Sequence, residues 1–273
     1  MTFERHPVVL VHGWKSGPEI WKDLAKKLDE ESVPYWNFSF TGMENSDSVS
    51  IALELRNYIR NTRKRVGYYD YIDIVCHSTG SFIVRYLLEV IDGVKREEKV
   101  RLFIGIGPAS NGSSMAELFN DPVHGPGILR NLEGLFVPKR YEPEKDLIVQ
   151  GLRPGSPENT EIRASGVRED IKYRVIVSSN EECCPVFFPP FNGRTWIFRD
   201  DGSWDMTFLG DGVVAHVDSF IPGAGADVIP KDKEKFSSAP FRYCHIMLPK
   251  NSEVIGRVTE YLLDSGTEPQ FFC

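Results

Sequence analysis

The decisive stretch is Tyr71-Ile72-Asp73-Ile74-Val75-Cys76-His77-Ser78-Thr79-Gly80, continued by Ser81-Phe82-Ile83-Val84-Arg85-Tyr86-Leu87-Leu88. A short apolar run rich in β-branched residues predicts a buried strand that stops at Ser78. The residues after it predict a helix, with Phe82, Leu87, Leu88 and Ile91 available for its buried face. A serine on the turn between strand and helix is the layout of a nucleophile elbow. The turn is tight, so the positions two before and two after the serine need small side chains. Here they are Cys76 and Gly80, giving C-x-S-x-G in place of the commoner G-x-S-x-G. Five residues alone fit equally well a strand whose serine merely caps the next helix. The rest of the chain decides between the two.

Upstream, His6-Pro7-Val8-Val9-Leu10-Val11-His12-Gly13-Trp14 opens with the pattern of another buried strand and ends in His-Gly. Helical periodicity follows over residues 20–28, a second strand over 34–40, and a long amphipathic helix over 48–65. Downstream, residues 100–107 and 171–177 predict strands, Phe241-Arg242-Tyr243-Cys244 a short last strand, and residues 252–263 a closing helix. Strands alternating with helices imply one α/β domain over residues 1–273, with a mostly parallel sheet covered on both faces. Residues 108–170 and 180–235 interrupt the alternation and are expected to form a cap at the carboxyl edge of the sheet. The second stretch carries Pro185-Val186-Phe187-Phe188-Pro189-Pro190-Phe191, an apolar run read as lining an acyl site, and a hairpin turning near Asp201-Gly202.

A serine hydroxyl needs a base, and the base needs a carboxylate to hold its tautomer. On such a sheet the order along the chain is Ser, acid, His. His216 and His245 lie late enough, and His245, between the expected last strand and the last helix, is preferred. Asp200, Asp201, Asp205, Asp211, Asp218 and Asp227 qualify by position as the acid. Asp211 is preferred because Gly210 and Gly212 let the chain present its carboxylate. The oxyanion requires two converging N–H groups, assigned to Thr79 after the serine and Trp14 after the first strand. His77, beside the serine, is expected among the substrate-contacting residues.

The chain has 273 residues, enough to bury a large core. Its net charge of −7 argues against a protein that binds nucleic acid by neutralising phosphates. No window approaches a membrane span, although contact with a lipid interface is compatible with the apolar run. The start, Met1-Thr2-Phe3-Glu4-Arg5-His6-Pro7, lacks a basic region followed by a long apolar core, so no signal peptide is expected and a cytoplasmic location is. Five cysteines (76, 183, 184, 244 and 273) are expected as thiols, a vicinal 183–184 disulfide being the less favoured alternative. No metal or cofactor is expected: there is no zinc spacing, no calcium loop and no dinucleotide signature.

Taken together, Val8-Val9-Leu10-Val11-His12-Gly13-Trp14, the elbow, Gly210-Asp211-Gly212-Val213-Val214 and a late His245 resemble the lipase/esterase branch of the α/β-hydrolase superfamily. Arg153-Pro154-Gly155-Ser156 is similar to a leucine–proline–glycine–serine stretch found in such lipases. The resemblance implies the α/β-hydrolase fold, a Ser78–Asp211–His245 triad and hydrolysis of carboxylic esters through an acyl-enzyme. Cys76 departs from the family pattern, and the 180–235 stretch matches no motif of it. A thioesterase, amidase or acyltransferase would share the triad. A non-catalytic small-molecule binding module is the reading from outside enzymology.

Overall fold

The computed structural model describes residues 4–43 and 45–264. Its sheet has six parallel strands in the order β2-β1-β3-β4-β5-β8: β1 Val8–Val11, β2 Tyr35–Phe38, β3 Ile72–His77, β4 Val100–Ile106, β5 Lys172–Ser178 and β8 Gly225–Ile229. A separate antiparallel hairpin pairs β6 Thr195–Phe198 with β7 Trp204–Thr207. The helices are α1 Lys22–Glu30, α2 Ser48–Val66, α3 Thr79–Arg85, α4 Ser114–Asn120, α5 Gly125–Leu132, α6 Leu147–Gly151, α7 Pro157–Ser165, α8 His216–Ser219, α9 Lys233–Ser238 and α10 Ser252–Leu263. This is the α/β-hydrolase fold.

Every residue of β1 and β3 is buried, as expected for central parallel strands covered on both faces. After β2 the chain crosses β1 to form β3, so the strand order reverses between β1 and β3. In open α/β sheets that crevice, at the carboxyl ends of the strands, is where ligands bind. The register pairs Val11 with Cys76, which brings His12-Gly13 level with His77-Ser78. The α2 helix that makes the crossover is capped by the Asp47 carboxylate on the Ser50 N–H and ended by left-handed Gly67.

Two sequence expectations need correction. Residues 241–244 are not a strand: Pro240–Tyr243 is a 3₁₀ turn, because Pro240 presets a helical φ and has no N–H for a ladder. The sixth strand is β8, which falls within the stretch read as insertion. Its Gly225-Ala226-Asp227-Val228-Ile229 is short and only alternately buried, as an edge strand is, so it lacks the continuous apolar run of β1 or β3. Residues 108–170, in turn, hold four helices, α4 to α7, whose starts at Ser113, Asp146 and Ser156 are capped by side-chain oxygens. Among the described residues Cys76, Cys183, Cys184 and Cys244 are free thiols, and Cys273 lies outside them.

Candidate active site

Ser78 ends β3 and starts α3 with φ 54° and ψ −126°, a conformation rare for a residue with a side chain. Such strain lifts the side chain off the strand end and is held by close packing around the turn. A Cβ on Gly80 would lie 2.4 Å from the His12 carbonyl oxygen and 2.7 Å from that of Val11, so only glycine fits there. Cys76 occupies the other small position, fully buried, with its Sγ 3.4 Å from the Ile104 carbonyl. Burial pushes its thiol up to about 12, so it stays protonated. Beneath α3, buried Arg85 holds both carboxylate oxygens of Glu89 and donates to the Ser110 carbonyl. The Ala109 N–H in turn reaches the Ser78 carbonyl at 3.3 Å.

His245 Nε2 lies 2.8 Å from Ser78 Oγ, and His245 Nδ1 lies 2.7 Å from Asp211 Oδ2. A carboxylate oxygen only accepts, so Nδ1 carries the proton and Nε2 is left to accept from the serine. Asp211 is only 2% exposed, and its other oxygen accepts from the N–H groups of Val213 (3.0 Å) and Val214 (2.7 Å). The His245 N–H donates to the Asp211 carbonyl at 2.8 Å, tying the two loops together. Gly107, unremarked in the sequence, makes this approach possible: at φ +47°, a Cβ there would lie 2.7 Å from Asp211 Oδ2 and 3.2 Å from His245 Nδ1. Its Gly105-Ile106-Gly107-Pro108 context marks a turn at a strand end, which was the available signal.

The alternatives to these residues sit elsewhere. His216 donates from Nε2 to the Ser178 carbonyl at 2.9 Å. Asp200, Asp201 and Asp205 are exposed on the hairpin, and Asp227 pairs with Arg257. Asp218 is buried and accepts from the Ser114 N–H at 2.8 Å, joining the acid loop to the start of α4. Burial, with the nearby Asp211 carboxylate adding to it, raises Asp218 to about 6 against that hydrogen bond.

Trp14 and Thr79, the expected oxyanion donors, line the same cavity as Ser78 and His245. Trp14 is anchored through its indole N–H to Asp146 Oδ2 at 2.9 Å, and the other Asp146 oxygen caps α6. Asp146 therefore couples the loop after β1 to the segment after β4, a role not read from the sequence. His77 also lines the cavity, and its Nε2 donates to the His245 carbonyl at 3.1 Å. Burial first, then the neighbouring His245, holds its pKa well below the ordinary value, so it is a neutral prop for the His245 backbone.

The cavity has a volume of about 320 Å³. Its apolar wall comes largely from the segment after β4, through Met115, Ala116, Phe119, Leu135, Phe136 and Val149. Phe187, Phe188 and Phe191, expected to line an acyl site, do not line it. They are 0%, 0% and 5% exposed: Phe188 packs behind the acid loop, where a Cβ on Gly212 would lie 2.4 Å from its Cγ, Phe187 meets Phe236 and Phe191 meets Trp196. The three phenylalanines of the run are core side chains, whereas Pro185, Val186 and Pro189 between and beside them are exposed. Among the described residues no cluster of three or more His, Cys, Asp or Glu side chains could hold a metal, and no helix is long and apolar enough to cross a membrane.

No protein-family model and no curated protein sequence matches the chain. Solved structures do. The mature form of the Bacillus licheniformis lipase BlEst2 aligns over 94% of this chain and 92% of its own, with a TM-score of 0.63 and 16% identity. The lin2722 product of Listeria innocua aligns over 97% and 96%, with a TM-score of 0.57 and 15% identity. The metagenomic carboxyl esterase MGS0156 aligns over 96% and 77%, with a TM-score of 0.53 and 19% identity. At these identities the likeness is one of fold: the chain has the α/β-hydrolase architecture on which lipases and carboxyl esterases are built.

Proposed function

We propose that the protein is a serine hydrolase that cleaves carboxylic esters through an acyl-enzyme on Ser78. The observation that carries this reading is the unbroken chain Ser78 Oγ–His245 Nε2 at 2.8 Å and His245 Nδ1–Asp211 Oδ2 at 2.7 Å, with the serine on a strained elbow. His245 takes the serine proton as Oγ attacks the ester carbonyl, and Asp211 steadies the imidazolium that forms. The tetrahedral oxyanion is met by the N–H groups of Thr79 and Trp14. Collapse transfers the proton from His245 to the leaving alcohol. Water, activated by the same histidine, then releases the acid.

The apolar cavity takes the acyl chain. At ~30 Å³ per water-sized group, its volume of about 320 Å³ sets an upper bound of roughly ten carbons on the acyl chain it can hold. The segment of residues 108–170 acts as the cap that shapes this chamber.

The test is hydrolysis of p-nitrophenyl esters from acetate to palmitate by the wild type and by Ser78→Ala. The expected result is a medium-chain optimum and a loss of at least about 10⁴ in kcat for the variant. Full activity in Ser78→Ala would remove Ser78 as nucleophile. A wild type inert on every ester would remove the reading.

A further inference from the structure

The chain carries 39 acidic and 32 basic residues, yet no Asp or Glu lines the cavity that holds Ser78. Its charged lining residues are two lysines, Lys15 and Lys250. Lys15 is partly answered, its ammonium lying 3.6 Å from Asp146. Lys250 is exposed and has no hydrogen-bond or ion-pair partner among the described residues. The nearest acid along the chain, Glu253, is turned away: its oxygens accept from the Lys231 N–H at 2.6 Å and the Tyr243 hydroxyl at 3.2 Å. Glu19 lies on the adjoining groove, which shares Trp14, Lys15 and Ser16 with the cavity. A local cationic lining on a net-negative protein attracts anions and repels cations, most strongly where apolar walls lower the dielectric.

Geometry says where on the substrate that charge belongs. Lys250 ends the 3₁₀ segment His245–Lys250 that begins with the catalytic base. At ~2.0 Å rise per residue it starts roughly 10 Å from His245, and its flexible side chain covers the distance to a group several bonds beyond the ester. The acyl chain takes the apolar wall of Met115, Ala116, Phe119, Leu135, Phe136 and Val149, so the group that meets Lys250, on the same cavity, is assigned to the alcohol part. We propose that the preferred substrates are acyl esters whose alcohol bears an anionic group, phosphate or carboxylate, with Lys250 as the residue that selects them. The inference rests on the ester-hydrolase reading above.

The experiment compares three decanoyl esters as monomers below their aggregation concentrations: 1-decanoylglycerol, its 3-phosphate, and the decanoyl ester of glyceric acid. The quantity read is the ratio of kcat/KM for each anionic ester to that for the neutral one, within one enzyme preparation. For wild type the expected ratio is about five at low salt for at least one anionic ester, shrinking in 0.5 M NaCl as the charges are screened. Preference confined to the phosphate or to the carboxylate identifies which anion the site takes. Lys250→Glu should bring the ratio to one or below, and Lys250→Arg should retain it. A wild-type ratio of one or less for both anions overturns the inference, as does a preference that survives Lys250→Glu. Either result leaves the ester reading standing if the neutral ester is cleaved and Ser78→Ala is inert. No turnover of any of the three esters overturns both.

Discussion

The two long segments beyond the strand ends, residues 107–171 and 179–224, use their apolar residues in opposite ways. The first turns Met115, Phe119, Leu135 and Phe136 toward the open cavity. The second turns Phe187, Phe188 and Phe191 into the core, offers the cavity Val213 and Val214, and holds Asp211 against His245. The segment with the more conspicuous aromatic run is thus a brace, and the less conspicuous one shapes the chamber. A row of phenylalanines reports that a surface is covered; it does not report what covers it.

The largest effect should come from breaking the brace. Phe188→Ala empties the space behind Gly212 and should cost about 3–5 kcal/mol of stability, read as a fall in the denaturant midpoint. In the protein that still folds, the chain-length optimum of the proposed ester hydrolysis should not move. The matching change in the other segment, Leu135→Trp, at a cavity-lining position that is 38% exposed, should shorten the preferred acyl chain while leaving the midpoint nearly in place. If Phe188→Ala shifts the optimum and Leu135→Trp does not, the division of labour is wrong.

Gly107 is where the first segment starts and touches the acid of the second. Gly107→Ala forces a Cβ to within 2.7 Å of Asp211 Oδ2 and should displace the carboxylate. A misplacement of about 1 Å costs about 10² in kcat. Unaltered turnover in a folded variant would mean that the Asp211–His245 contact tolerates more slack than its packing suggests.

The smallest effect concerns the clasp between the segments, Asp218 on the Ser114 N–H. Its carboxyl is raised from an ordinary 3.8 to about 6, so the fold favours the protonated form. That contribution is complete below about pH 3.8 and is lost as pH climbs through about 6. Asp218→Asn keeps an acceptor for Ser114 without the charge. It should leave stability at pH 4 close to wild type and raise it at pH 7.5 by about 1–3 kcal/mol. A wild-type pH slope that persists in the variant would place its origin in another group.

Some of this was readable from local sequence and some was not. The strands β1, β3, β4 and β5 announced themselves because a central parallel strand is apolar on both faces, a pattern that needs no knowledge of its neighbours. The elbow was readable because a tight turn constrains residues within two positions of Ser78, and Gly210-Asp211-Gly212 was readable for a similar reason. β8 is not legible in this way because an edge strand is half exposed and its pattern is diluted. The four helices of residues 108–170 were obscured by the prolines and glycines that start and separate them.

The chain by itself determined the α/β alternation, the strained serine turn, and an acid and a histidine in the order such a sheet requires. These are properties of backbone propensity and of side chains a few residues apart. Tertiary structure alone decided that His245, 167 positions from Ser78 along the chain, lies 2.8 Å from it, that Gly107 leaves room for the carboxylate, and that Asp146 anchors Trp14. It also decided which apolar residues face the cavity and which face the core. Hydrophobicity sets how strongly a side chain avoids water; whether another side chain or an open chamber excludes that water depends on segments far away in sequence.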